Sequence, residues 1–217
     1  MISVAPFTGN EKYAEATLGY ADVTSFPTSF SRENGPTLLA SYRVSGGNGL
    51  GGDLYRKRLV GVASYTWSIA PRWGHQVVGA AYAGWSDPDG ATTLQGAFTI
   101  GGTATVLTPR GYPERLVSGY YLFGYSGAYR LPVWRPFANF GTTPFGVRQV
   151  TLEGFLDAAQ VSTDHVHGNG EWYRSVGGEL AVDLEIWALR LAPGFGVAHQ
   201  IDGKEATTGY LRLGYRW

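Results

Sequence analysis

Two short segments of this chain have residue types and spacings that could support catalysis or metal binding. Residues 124–127 read Gly-Tyr-Ser126-Gly, one residue short of the Gly-x-Ser-x-Gly motif of hydrolases. This segment lies inside a predicted strand, whereas the motif requires a sharp turn from a strand into a helix. His165 and His167 have a spacing suited to two metal ligands, but the sequence offers no convincing third ligand. We therefore expect no enzyme activity, no metal and no cofactor.

Alternation with a period of two is the dominant pattern of the sequence. Successive side chains of a strand point to opposite faces of a sheet, so this period predicts strands. Clusters of Gly, Pro, Asp and Asn separate the alternating segments. We predict an all-β fold with nine strands, near residues 13–24, 36–46, 54–70, 75–87, 117–133, 146–162, 171–188, 189–200 and 206–217.

The two faces of several predicted strands differ in polarity. Between residues 59 and 69, one face carries Leu59, Tyr65 and Trp67, and the other carries Val60, Val62, Ser64, Thr66 and Ser68. Between residues 176 and 187, Val, Leu and Ile alternate with Glu179 and Asp183. One face would suit lipid and the other water, as in a transmembrane barrel.

The composition is compatible with a transmembrane barrel. Lipid-facing and lumen-facing residues alternate in such a protein, so its average resembles that of a soluble protein. The 217 residues are 44% hydrophobic and 16% charged, and the mean hydropathy is -0.11. No run of about 18 apolar residues occurs, which excludes a transmembrane helix. The net charge is zero, so we expect no nucleic acid partner.

Strand length and aromatic residues favour a membrane barrel over the alternative, a soluble antiparallel sheet with one wet face. About 9 to 11 tilted strand residues span the hydrocarbon, and aromatic girdles mark its interfaces. Aromatic residues near the predicted strand ends are Trp67, Trp73, Trp85, Tyr121, Trp134 and Trp172. One face of the last segment ends in an apolar and aromatic series that resembles the C-terminal signal of outer-membrane proteins, namely Leu211, Leu213, Tyr215 and Trp217. We expect a location in the bacterial outer membrane, surrounded by its lipids.

The predicted number of strands bears on how the barrel closes. A closed single-chain bacterial barrel normally has an even number of strands, and nine is odd. An unpaired strand edge would expose N–H and C=O groups to lipid. Residues 1–10 could form a tenth strand, or the chain could be the C-terminal portion of a larger barrel that another chain or further N-terminal strands complete. We favour the second interpretation. The first residues contain no secretory signal, so we expect an export signal to lie upstream or to have been removed.

Several short motifs follow one another in the second half of the chain. They are Phe98-Thr-Ile-Gly101-Gly102, Arg110-Gly111-Tyr112, Tyr129-Arg130-Leu131-Pro132, Phe155-Leu156-Asp157 and Gly177-Gly178. In this order and spacing they resemble the C-terminal half of the bacterial surface antigen superfamily, which includes BamA-type outer-membrane assembly proteins and two-partner secretion transporters. The first four predicted strands resemble this family only by pattern. Ala159 stands where the family pattern has a glycine.

The resemblance implies a loop that folds back into the barrel and is held at its tip. Arg110, Gly111 and Tyr112 would form the tip, while Phe155 and Asp157 on a later strand would receive it, next to the Gly177-Gly178 pair. Alternation agrees with this, because it places Asp157 on the polar face of its strand. A bidentate pair with Arg110 would have a gross attraction on the order of 4 kcal/mol before desolvation. The alternative is that Arg110 is a solvated loop residue.

The expected organisation is a single outer-membrane barrel domain over residues 1–217. It comprises four strands in 13–97, a lumen loop at 98–116 and five strands in 117–217. The resemblance implies a role in the insertion or translocation of proteins, with an unfolded or secreted protein as substrate. The last strand, 206–217, would supply one side of a lateral seam by strand augmentation. A structural anchor or a passive pore subunit is the alternative.

Overall fold

The protein is described by a computed structural model that is dominated by β-strands. The described residues are 12–24, 34–46, 56–70, 73–87, 97–101, 108–113, 116–136, 138–139, 145–163, 170–187, 189–202 and 206–212. The strands found among them are β1 (Tyr13–Ala21), β2 (Gly35–Ser45), β3 (Arg56–Ala70), β4 (His75–Asp87), β5 (Phe98–Ile100), β6 (Val117–Gly119), β7 (Tyr121–Trp134), β8 (Ala138–Asn139), β9 (Phe145–Ser162), β10 (Trp172–Ile186), β11 (Leu189–Leu191), β12 (Gly194–Gln200) and β13 (Thr207–Arg212).

Nine of these strands form one antiparallel sheet, in the order β1-β2-β3-β4-β7-β9-β10-β12-β13. Each main strand pairs with the next main strand along the chain, so the sheet is a meander whose connections join neighbours. The short strands β8 and β11 pair with β9 and β10. The predicted all-β class and the nine antiparallel strands are confirmed. The described residues include no helix long and apolar enough to cross a membrane.

The sheet is open in the part of the chain that is described. There, β1 pairs only with β2 and β13 only with β12, so the closed barrel that was one of the two predicted forms is not present. The strand number gives a physical reason. In an antiparallel meander of nine strands, the first and the last run in the same direction, and they cannot complete an antiparallel ladder with each other.

Some predicted strands differ from the observed ones in extent or pairing. Residues 117–119, predicted to begin the fifth strand, form β6 and pair with β5 instead. The chain joins the main sheet at Tyr120, whose N–H donates to the Ser162 carbonyl at 2.9 Å.

The predicted strand 189–200 is divided into β11 and β12 at Pro193, which has no N–H for the ladder. β10 ends at Ile186 because Trp187 has a φ of 55°, in the left-handed region.

The two faces of the sheet have opposite character. The apolar face, which carries Leu152, Leu156 and Leu180, is exposed, with these side chains 42–45% accessible. On the polar face, Glu179 is 1% exposed and Asp183 is 0% exposed. Soluble proteins usually show the reverse distribution, because charged residues are almost never fully buried unless they are paired.

A small apolar cluster also lies on the polar face, where β5 packs against the main sheet. Its buried members are Tyr82, Phe98, Ile100, Leu122, Ala159 and Val161.

Candidate functional site

Residues 108–113 lie against the polar face of β9, β10 and β12. Thr108, Pro109, Gly111 and Tyr112 are buried there, although they belong to a connection between strands. Connections usually run over the protein surface, because their backbone polar groups need water or a protein partner. Specific contacts must therefore hold this tip in place.

Arg110 supplies the strongest of these contacts. Its Nε donates to Oδ2 of Asp157 at 2.7 Å and its Nη2 donates to Oδ1 at 3.1 Å, which makes the pair bidentate. The backbone N–H of Arg110 also points at Oδ2, at 3.3 Å. Nη1 donates to Oε1 of Glu153 at 2.9 Å and lies 3.8 Å from Oε2 of Glu179. The contact between Arg110 and Asp157 that the sequence predicted is present, and two further carboxylates surround the same guanidinium group.

The aromatic ring of Phe155 packs against the guanidinium group of Arg110. The centre of the Arg110 guanidinium lies 3.4 Å from the centroid of the Phe155 ring, a cation–π contact. Gly177 lies under this ring, since a Cβ at that position would come within 2.6 Å of it. Gly178, which was also predicted to belong to the site, does not reach the loop. Adjacent strand residues point to opposite faces, and Gly178 is on the exposed apolar face.

Gly111 and Tyr112 complete the tip. The Tyr112 hydroxyl donates to the Arg174 carbonyl at 2.7 Å. The Gly111 carbonyl accepts a hydrogen bond from Nε2 of Gln200 at 2.8 Å. Gly111 has a φ of 90°, and a Cβ there would lie 2.5 Å from Cβ of Ala198. Both the backbone conformation and the close approach to β12 therefore require glycine at this position.

Substitution of Gly111 by alanine tests this close approach. We expect Gly111→Ala to destabilise the docked loop by about 1–3 kcal/mol, because the residue would be strained and would clash with Ala198. Gly178→Ala is the matched control, since the nearest atom to its Cβ, the Glu153 carbonyl oxygen, is 3.7 Å away. The measurement is the rate at which a protease cleaves within residues 98–116 of the folded protein. Equal rates for the two variants would contradict the proposed packing.

The ionic cluster around Arg110 is larger than the sequence predicted. Nε of Arg130 donates to Glu153 at 2.7 Å, and the Ser126 hydroxyl donates to Asp157 at 2.6 Å. Ser126, considered above as a nucleophile, is thus a member of this cluster. On the other side, Glu179 accepts hydrogen bonds from Arg212 and from the Tyr210 hydroxyl.

Charge balance explains how these groups can be buried together. Among the described residues, the cluster contains three carboxylates and three guanidinium groups, namely Glu153, Asp157, Glu179, Arg110, Arg130 and Arg212. A buried ion pair is tolerated when its geometry is good and its remaining polar atoms are satisfied. Alternation had placed Glu153 and Glu179 on the polar face. Their partners on other strands depend on the register, which alternation does not reveal.

The electrostatics keep the loop tip in a single protonation state. Burial alone would lower the pKa of Arg110, but its hydrogen bonds to Asp157, together with the charges of Asp157 and Glu153, raise the pKa above its ordinary value. Burial raises the pKa of Tyr112 to about 12. The guanidinium therefore stays charged and the phenol remains a hydrogen-bond donor at neutral pH. The arrangement can hold a loop on the sheet without a covalent bond or a metal.

Other predicted site residues lie elsewhere. Leu211 is on the apolar face of β13 and is 52% exposed. The rest of the predicted C-terminal signal, Leu213, Tyr215 and Trp217, lies outside the described residues, as do His165 and His167. No protein-family model matches the chain, and no curated protein matches it.

Proposed function

We propose that this chain is the membrane-embedded portion of an outer-membrane β-barrel that takes part in the insertion or translocation of proteins. The observation that carries the proposal is the pairing of an exposed apolar face with a polar face that holds a charged loop tip. A membrane barrel places the first face against lipid and the second around its lumen. The loop that carries Arg110 would then lie inside the lumen.

The extent of the apolar face supports this assignment. From Leu59 to Ile69, the outward positions of β3 are Leu, Gly, Ala, Tyr, Trp and Ile. With a rise of about 3.3 Å per residue and a tilt of about 40°, this stretch covers a height of roughly 25 Å, the height of the apolar band of outer-membrane barrels. Ionisable residues on this face, such as Lys57 and Asp87, lie at the strand ends.

The open sheet supports the interpretation as part of a larger barrel. Its two edges, at β1 and β13, would expose backbone N–H and C=O groups, which are costly in lipid. Because β1 and β13 run in the same direction, an odd number of additional strands would close the barrel with antiparallel pairs throughout. We propose that another chain or strands upstream in this protein supply them.

Two features favour protein transport over a passive pore. A loop tip that is held on the polar face by an ion pair obstructs the lumen. Opening of the lateral seam between β13 and those additional strands would also offer the backbone groups of β13 to a substrate strand, the mode of binding known as strand augmentation. The resemblance of the Arg110-Gly111-Tyr112 and Phe155-Leu156-Asp157 motifs to the surface antigen superfamily points the same way.

A substitution on the β13 edge provides a direct test. The Gln200 N–H donates to the Ala206 carbonyl. In an antiparallel pair every second residue bonds to the neighbouring strand, so residues 206, 208, 210 and 212 bond to β12. The N–H of Gly209 therefore points to the free edge of β13. Gly209→Pro removes that donor without removing a bond to β12. The matched control is Gly209→Ala, because the nearest atom to its Cβ is 4.0 Å away.

The assay measures how fast an unfolded barrel substrate folds into liposomes that contain the reconstituted protein, followed by heat-modifiable mobility. We expect the protein to accelerate folding, Gly209→Pro to reduce the acceleration several-fold, and Gly209→Ala to leave it unchanged. If the protein inserts in liposomes but accelerates nothing, the role is that of an anchor. Conductance in planar bilayers would identify a pore.

A further inference from the structure

A group of cationic and hydroxyl side chains lies on the polar face at one end of β2, β3 and β4, away from the loop tip. Arg43 stands directly opposite Arg58, and Ser45 stands opposite Arg56. Arg58 is also opposite Ser86 on its other side. Residues opposite one another in an antiparallel pair project from the same face, so all five side chains share one area.

Three polar atoms of this group are buried without a hydrogen-bond partner. Among the described residues, Nε of Arg58, Oγ of Ser45 and Oγ of Ser86 are buried and have no hydrogen-bond partner. Both serines are 1% exposed. More than about 90% of buried polar groups in proteins have a partner, and three neighbouring exceptions in one place therefore need an explanation.

Two like charges, those of Arg43 and Arg58, also stand opposite each other in this area. Arg43 forms an ion pair with Glu15, with Nη2 and Oε2 2.6 Å apart. The Arg58 guanidinium instead lies 4.4 Å from the centroid of the Phe98 ring, which positions it without neutralising it. Like charges directly opposite each other on neighbouring strands are destabilising. A bound anion would remove this repulsion and accept hydrogen bonds from the buried donors.

We propose that Arg43, Ser45, Arg56, Arg58 and Ser86 bind a phosphate group at this end of the polar face. A guanidinium fork matches two phosphate oxygens, and the serine hydroxyls approach from the two strands on either side of β3. A tetrahedral oxyanion offers acceptors in these different directions, whereas a planar carboxylate offers only two oxygens. The phosphate belongs either to a soluble molecule or to a lipid headgroup. The site does not depend on the transport function proposed above.

Isothermal titration of the folded protein with inorganic phosphate, in a phosphate-free buffer and a non-ionic detergent, tests the proposal. We expect saturable binding of one phosphate, an affinity roughly tenfold lower for Arg58→Gln, and a several-fold lower affinity for Ser86→Ala. Arg148→Gln is the matched control, since Arg148 pairs with Glu185 near the opposite end of the sheet. Its affinity for phosphate should equal that of the wild type.

Thermal unfolding provides a second readout that separates binding from misfolding. Without phosphate, Arg58→Gln should raise the Tm, because it removes the repulsion from Arg43. The same concentration of phosphate should raise the Tm of the wild type by more than that of the variant. Absence of saturable binding, equal binding by Arg58→Gln, or equal affinity for acetate would overturn the proposal.

Two soluble probes distinguish the sources of the phosphate group. Tighter binding of dihexanoyl phosphatidic acid than of inorganic phosphate would support a phosphate site for lipid headgroups. Equal or weaker binding of that lipid would support a site for a soluble phosphate compound.

Discussion

Replacement of Arg110 by alanine should release the loop tip and lower the free energy of unfolding by about 3–5 kcal/mol, the usual cost of removing one partner of a buried ion pair. The guanidinium contacts Asp157 and Glu153 through hydrogen bonds of 2.7–3.1 Å. Both carboxylates are at most 4% exposed. If the tip stayed docked without Arg110, both carboxylates would be buried without their shared counter-charge, and this cost favours release of the tip.

Limited proteolysis of the folded protein measures the release of the loop. Cleavage within residues 98–116 should be slow in the wild type and at least tenfold faster in Arg110→Ala, since 1.4 kcal/mol of lost docking energy corresponds to a factor of ten. The matched control is Arg148→Ala, which removes a different arginine, one that pairs with Glu185 on β10. Protection of the loop that is unchanged in Arg110→Ala would contradict the role of this ion pair.

A double-mutant cycle tests whether Arg110 and Asp157 act as a pair. Asp157→Asn alone should also expose the loop, because the bidentate acceptor becomes a neutral amide. Adding it to Arg110→Ala should cost much less than the sum of the two single effects, since residues in one ionic network are strongly coupled. Additive effects would indicate that Arg110 and Asp157 stabilise the protein independently.

Introduction of a charge on the apolar face should have a comparably large effect on membrane insertion. Leu156 lies in the middle of β9 and is 44% exposed on that face. An arginine at the bilayer midplane of a barrel costs about 2–4 kcal/mol when it faces lipid. We therefore expect Leu156→Arg to fold into liposomes much less efficiently than the wild type, as measured by heat-modifiable mobility and by flotation with the lipid.

Ser64→Arg is the matched control for this experiment. In the sheet register, Ser64 lies opposite Ala80, Ala80 opposite Ser126, and Ser126 opposite Asp157, so Ser64 is on the same polar face as Asp157. An arginine at this position would face the lumen and should permit insertion. If Leu156→Arg inserted as well as Ser64→Arg, the apolar face would not be in contact with lipid.

The Arg110 and Leu156 experiments test separate parts of the proposal. The first concerns the contact that holds the loop on the sheet, and its result does not depend on whether water or lipid surrounds the sheet. The second concerns what surrounds the sheet. A protein that lost loop protection in Arg110→Ala but tolerated Leu156→Arg would have the loop contact without the membrane location.

The comparison of Gly177 with Gly178 shows where alternation and motif resemblance differ. The resemblance grouped both glycines with the site. Because Glu179 lies on the polar face, alternation places Gly177 on that face and Gly178 on the opposite one. Only Gly177 lies beneath the Phe155 ring. A period of two is a local property of the backbone, so the face of a strand residue could be read from the sequence alone.

The amino-acid sequence by itself determined the all-β class, the positions of the nine main strands and the faces of Asp157 and Leu156, because all of these follow from local alternation and turn residues. The tertiary structure decided which side chains meet. The contact of Gln200 with Gly111 and the ion pair of Arg212 with Glu179 join segments that are far apart in the chain. Such contacts depend on the register of each strand pair and on where residues 108–113 lie on the sheet. These are set by packing over the whole molecule, and no local pattern encodes them.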